Sequence, residues 1–137
     1  MILNQKQMEA IKVSAIIPID CETLFKAWLS SKEHSNFTGG TAKMSSKLNS
    51  KYSAWNGYIS GKTIELIPNT KIVQTWRSTD FSDVDPDSVL ELKLEKRGKS
   101  TILHLHHYNI PKGQGKKYKS GWKEHYLEPM KKYFSAK

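Results

Sequence analysis

The sequence predicts an α+β fold, a curved antiparallel sheet wrapped around a long C-terminal helix, with two short helices after the first strand. Three observations carry this. From about residue 52 to residue 110 the chain reads as successive strands separated by turn residues, with no helical stripe between them, which is the pattern of an antiparallel meander. From Lys116 to Phe134, the side chains of Tyr118, Trp122, Tyr126, Met130, Tyr133 and Phe134 recur at helical spacing as one aromatic stripe. That stripe must be covered, and the inner face of the sheet is the only large apolar surface left to cover it.

Each element has its own signal. Between Met8 and Ile17, the residues Ile11, Val13, Ala15 and Ile17 alternate with Lys12, Ser14 and Ile16, as a strand requires, and Pro18 ends it. Asp20 is placed to cap a helix reading CETLFKAWL, where Leu24, Phe25, Trp28 and Leu29 recur at three- and four-residue spacing. Ser31 is the expected cap of a second short helix ending near Phe37, before Gly39 and Gly40. The expected strands of the meander are Tyr52 to Ile59, Lys62 to Ile67, Lys71 to Ser78, Ser88 to Lys96 and Thr101 to Asn109, with turns at Pro68-Asn69 and Arg97-Gly98. VLELKLEK is the clearest: Leu90, Leu92 and Leu94 face one way while Val89, Glu91, Lys93 and Glu95 face the other. Inside the last helix Pro129 removes a backbone donor and crowds the carbonyl of His125, so a kink is expected there.

The 137 residues suit one domain, read as 1–137 with its core at about 8–135, and the 37% hydrophobic content excludes a wholly disordered chain. No repeat or low-complexity linker divides it. No apolar run approaches the roughly 20 residues of a membrane span, and the amino terminus lacks the basic and apolar regions of a leader. The lone Cys21 cannot form an internal disulfide, which fits a reducing compartment. The expectation is a soluble, cytoplasmic protein. Its 22 basic and 13 acidic residues give a net charge of +9. Eight Lys and two Glu between Lys112 and Lys137 supply most of that excess, so the basic character is C-terminal. Such a patch either attracts an anionic partner or serves as a solvated helix face.

The run GYISGKTIELIPNTKIVQTWR at 57–77, the pair IP at 110–111 and the pattern YxxGWxxHYxxPMxxYF at 118–134 resemble the activator of heat-shock protein 90 ATPase homologue family. That family lies in the START-like superfamily, also called SRPBCC, whose members share a helix-grip fold with the birch-pollen allergens. The ordered set Gly57, Gly61, Pro68, Trp76, Pro111, Gly121 and Trp122 carries the resemblance, which runs from about Met8 to the end. The family's element order of strand, two helices, six strands and long helix implies one strand more than periodicity gives, and Thr41 to Ser46 is the segment to supply it.

A sheet bent around a helix without filling the gap leaves a cleft, and concave sites lined by aromatics are the usual ligand sites. The resemblance implies a small hydrophobic or amphipathic ligand, since many superfamily members bind lipids, sterols or polyketides. By alternation Tyr52, Ala54 and Asn56, then Trp76, Leu92, Leu105 and His107, share the inner face, and Trp122, Tyr126 and Met130 meet them from the helix. These residues either line a ligand cavity or pack as a solid core. An imidazole at His107 on that apolar face needs a partner, which is either a ligand or a neighbouring hydroxyl or carbonyl.

Catalysis has thin support. Arg77, Asp80 and His107 are the residues to examine, because some superfamily members are cyclases or aromatase-like, but no GxSxG elbow, HExxH, P-loop or paired-carboxylate signature is present. His104 and His106 sit two apart on the outer face with no further ligand pattern, so no metal and no cofactor are expected. The resemblance also implies a protein partner, because eukaryotic family members stimulate the ATPase of heat-shock protein 90. Those proteins carry two domains, and this chain matches the C-terminal one. Lys116, Lys117, Lys119 and Lys123 form the candidate protein-binding patch. Nucleic acid is not expected, because Tyr and Trp among these lysines belong to the buried stripe and cannot stack bases.

Overall fold

The computed structural model describes residues 8–136; the reading of a missing leader falls on residues 1–7 and lies outside them. The chain runs β1 (Glu9–Ile17), α1 (Cys21–Trp28), α2 (Ser31–Thr38), β2 (Lys51–Ala54), β3 (Ile59–Ile67), β4 (Lys71–Ser78), β5 (Ser88–Arg97) and β6 (Ser100–Ile110). A last helix, α3, is continuous through Gly115–Trp122, a π turn at Lys123–Leu127, and Glu128–Ser135. The six strands form one antiparallel sheet in the order β1-β6-β5-β4-β3-β2. Every connection in the meander is therefore a neighbour pairing, and β1 closes the far side against β6.

The caps follow the local chemistry. The Asp20 carboxylate accepts the Thr23 N–H at 3.1 Å at the start of α1. α2 is capped one residue earlier than expected: Ser30, whose backbone is extended, accepts the Glu33 N–H at 3.1 Å. Ser31 instead receives the Met44 N–H at 2.8 Å and ties α2 to the following loop. The Thr41 to Ser46 segment makes no strand, since Lys43 forms only an isolated bridge with Ser53.

The first two strands of the meander were misjoined by periodicity. β2 ends at Ala54, a tight turn takes Trp55–Gly57, and β3 runs unbroken from Ile59 through Gly61 to Ile67. The turn residues Trp55, Asn56 and Gly57 all have positive φ, at 54°, 59° and 90°. Asn-Gly supplies that geometry at low cost. Gly61 is required for a different reason. A Cβ there would run into the Thr75 carbonyl and lie 2.7 Å from the Tyr52 ring, and Tyr52 crosses this gap to donate its phenol to Thr75 O at 2.7 Å.

Leu90, Leu92 and Leu94 of β5 and Leu103 and Leu105 of β6 are buried on the concave face, where α3 lays Tyr118, Trp122, Tyr126, Met130 and Phe134. The helix is fastened at its start by Glu9 of β1, whose carboxylate accepts the N–H groups of Gly113 at 3.0 Å and Gly115 at 2.8 Å. Those two bonds hold the Glu9 carboxyl below its usual range. The disturbance expected at Pro129 is taken up as the π turn just before it, where the Glu128 N–H reaches back to Lys123 O.

Replacing Gly61 with valine is expected to lower the thermal midpoint by about 10 °C or to prevent folding, because the strand must shift to clear backbone. Differential scanning calorimetry checks this, and an unchanged midpoint would refute the close approach.

Candidate functional site

An open cleft of about 840 Å³ lies between the start of β3, the end of β4 and the first turns of α3. One wall is Trp55, Tyr58, Ile59 and Trp76; the other is the helix face carrying Lys116, Lys117, Ser120, Gly121, Glu124 and His125, with Tyr118, Trp122 and Tyr126 beneath. The positions 116, 117, 120, 121 and 124 repeat at three and four residues, so a single helix face forms that wall.

The residues named from sequence divide between this cleft and the interior. Trp76, Trp122 and Tyr126 line the cleft, as do Lys116 and Lys117 at its rim. Ala54, Leu92, Leu105 and Met130 are buried in the hydrophobic core instead, and Tyr52 is pinned to the sheet backbone. Asn56 is not on the inner face at all: it is exposed in the turn, where its Oδ1 accepts the Thr41 N–H at 3.2 Å. Lys119 and Lys123 are exposed on α3 outside the cleft lining. Alternation missed Trp55, Tyr58, Gly121 and His125. The Asn56-Gly57 turn signature would have cut the strand at Ala54 and set Trp55 apart from it.

Beneath the cleft, two buried imidazoles hold its floor. His34 Nδ1 lies 2.9 Å from the Trp28 carbonyl, which can only accept, so Nδ1 carries the proton and Nε2 accepts the Tyr126 hydroxyl at 2.9 Å. His107 has the opposite tautomer. Its Nδ1 accepts the Trp122 indole N–H at 3.1 Å, so Nε2–H donates to Ser88 Oγ at 2.8 Å, and Ser88 passes its own proton to Trp76 O at 2.7 Å. The His107 partner is thus a hydroxyl and an indole. Ser88 and His107 are not set up as nucleophile and base, since the nitrogen facing Ser88 already bears a proton. Burial lowers His34 to about 4 and His107 to about 3.

The other residues considered for chemistry are tied into the surface at one end of the cleft. Asp80 Oδ2 accepts from Lys117 Nζ at 2.7 Å and from the Tyr58 hydroxyl at 2.6 Å, and these bonds, Lys117's first, hold its carboxyl below the usual range. Arg77 donates to Asp87 Oδ1 at 2.6 Å, Ser82 O at 3.0 Å and Asp85 O at 3.2 Å, so it shapes the 82–87 loop. Asp80 N–H donates to Ser78 Oγ, which donates to Tyr118 OH, which donates to Gln114 Oε1, joining the 78–80 segment to the start of α3. His104 bonds Ser14 and Glu95 on the outer face while His106 lies against Tyr108. Among the described residues no three His, Cys, Asp or Glu side chains converge as metal ligands.

A six-stranded antiparallel sheet gripping a long C-terminal helix, with two short helices behind the first strand, is the helix-grip, START-like fold. The family model for Activator of Hsp90 ATPase homolog 1-like protein matches residues 19–135, and the chain belongs to that family. It is 24% identical over 113 residues to the human activator of 90 kDa heat shock protein ATPase homolog 1, covering 82% of this chain and 33% of that protein. The Dictyostelium discoideum homologue is 31% identical over 100 residues, covering 72% of this chain and 26% of that protein. The chain therefore spans a third or less of these relatives. Among solved structures, an HSP90 activator from Plasmodium falciparum superposes with a TM-score of 0.84 at 24% identity, covering 92% of this chain and 96% of that one. Ara h 8.0201 has the same fold at 12% identity, with a TM-score of 0.72 over 95% of this chain and 99% of that one.

Stability is expected to depend on acid in a defined window. Both histidines titrate lower in the folded than in the unfolded chain, so their contribution is complete above about pH 6.5 and is lost as pH falls toward 4 and then 3. Urea midpoints should report a loss of about 4 kcal/mol between pH 7 and pH 5. A flat profile over that range would contradict the neutral buried pair.

Proposed function

We propose that this chain is a non-catalytic binding domain that holds a small hydrophobic or amphipathic molecule in the cleft between the sheet and α3. The observation that carries this reading is the cleft itself. Its volume of about 840 Å³ falls within the range of small-molecule sites, and its walls are aromatic with few polar groups, as such sites are. Elsewhere on the concave face Leu90, Leu92, Leu103 and Leu105 are buried in the core, and the cleft offers a ligand room. The free Cys21 and the absence of an apolar span among the described helices suit a cytoplasmic setting.

Gly121→Phe tests it. A Cβ at Gly121 meets nothing nearer than His125 Cδ2 at 4.0 Å, so the ring is expected to enter the cleft without disturbing the core. Binding of the neutral probe N-phenyl-1-naphthylamine, followed by fluorescence, should fall at least about tenfold while the far-ultraviolet circular dichroism is unchanged. Undiminished binding would reject the site.

A second reading is a co-chaperone module. It is favoured by the curated relatives, each an activator of the 90 kDa heat shock protein ATPase, and by the exposed lysines along α3. On this reading α3 meets an acidic chaperone surface. Reversing Lys119 and Lys123, which lie outside the cleft, is expected to slow association with the 90 kDa chaperone about tenfold at low salt and to flatten its salt dependence. Surface plasmon resonance reads both, and unchanged kinetics would remove the patch from that interface.

A further inference from the structure

Three features set the chemistry of the cleft. The first is Trp55, whose φ of 54° puts a bulky residue in the left-handed region, where a side chain strains the backbone. Bonds from Asn56 N–H to Thr41 O at 3.0 Å and from Thr41 N–H to Asn56 Oδ1 at 3.2 Å maintain it. Gly40 makes room for the indole, since a Cβ there would lie 2.6 Å from the ring. The strained turn sets the half-buried indole as a side wall, edge-on to His125 at 5.8 Å and to Tyr126 at 6.2 Å.

The second feature is Gly121. A glycine inside a helix is less favourable than alanine, and no neighbour here demands it, since a Cβ would meet nothing nearer than His125 Cδ2 at 4.0 Å. Its effect is to bare the helix backbone to the cleft. The third is the pair Lys116 and Ser120, one helical turn apart on the lining face. Among the described residues neither side chain has an ion pair or hydrogen bond, whereas Lys117 beside them is engaged by Asp80. The other charge in the lining is Glu124, about 12 Å from Lys116 along the helix axis. The cleft is therefore cationic at one end only.

We infer that the cleft selects a flat aromatic anion, with its ring system against the bare backbone at Gly121 and the wall formed by Trp55 and Tyr58, and its carboxylate or sulfonate on Lys116 Nζ and Ser120 Oγ. The inference rests on the cleft-binding reading and adds the chemical class of its ligand. A rigid ring system suits an open aromatic cleft because it loses little conformational freedom on binding. The anion takes a charge-assisted hydrogen bond from an ammonium that has no partner among the described residues.

Two probes with nearly the same ring system separate the class from the site: 8-anilinonaphthalene-1-sulfonate, which is anionic, and N-phenyl-1-naphthylamine, which is neutral. The sulfonate is expected to bind the native protein at least fivefold more tightly. Lys116→Met should abolish that preference by weakening the sulfonate while leaving the neutral probe within twofold, and Lys119→Met, outside the cleft, should change neither. Equal affinities in the native protein, or equal effects of Lys116→Met and Lys119→Met, would overturn the anion preference and leave the cleft reading intact provided Gly121→Phe still blocks the neutral probe. Binding of both probes that ignores Gly121→Phe would overturn the site and with it the inference. Because Lys116 is exposed, its replacement tests recognition without threatening the fold.

Discussion

Tyr126 and Trp122 reach from α3 into the concave face of the sheet, and each ends on a buried neutral imidazole. Tyr126 donates to His34 of α2, and Trp122 donates to His107 of β6. A phenol and an indole N–H buried without acceptors would each cost about 1–3 kcal/mol, so the aromatic stripe of α3 can lie on the sheet only where these acceptors wait. The two histidines present opposite tautomers to meet that need, each fixed by what its other nitrogen touches. Among the described residues no buried side-chain nitrogen or oxygen is left without a partner. The helix position, the floor of the cleft and the expected acid sensitivity all depend on this arrangement.

The cleft is a by-product of how the two ends of α3 are held. Its C-terminal part packs into the core through Met130 and Phe134, and its start is tied to β1 through Glu9 and to the 78–80 segment through Tyr118. Between these anchors the helix passes Gly121, which offers no side chain to the opposite wall. On the sheet side, the left-handed turn at Trp55–Gly57 places the Trp55 indole at the border of the cleft. The space that results is bounded by aromatic rings on both sides and by lysines at one end.

Much of the fold was legible because it rests on periodicities that burial enforces. The alternation of Leu90, Leu92 and Leu94 and the stripe from Tyr118 to Phe134 place those residues on the buried side in the structure. Asp20 was readable as a cap because its carboxylate bonds within three residues of itself. Errors fell where local signals compete. Ser30 and Ser31 both suit a cap, and backbone conformation chose Ser30; the apolar run from Tyr52 to Ile59 looked like one strand until Asn56-Gly57 turned it. The site was less readable than the fold. His107 was found because it interrupts a leucine period, whereas His34 sits in a mostly polar segment, SKEHSNFT, that gives no sign of its burial.

By itself the sequence determined the element order, the antiparallel meander, the amphipathic last helix and the basic charge concentrated on it, since each depends on residues near one another in the chain. Only the tertiary structure decided which inner-face residues are solid core and which border open space. Ala54, Leu92 and Trp76 obey the same alternation, yet only Trp76 meets the cleft. The physical reason is that a cleft is a difference between two surfaces. Its shape is set by the separation of α3 from the edge strands, and that separation follows from contacts such as Glu9 with Gly115 and His34 with Tyr126, made between residues about a hundred positions apart.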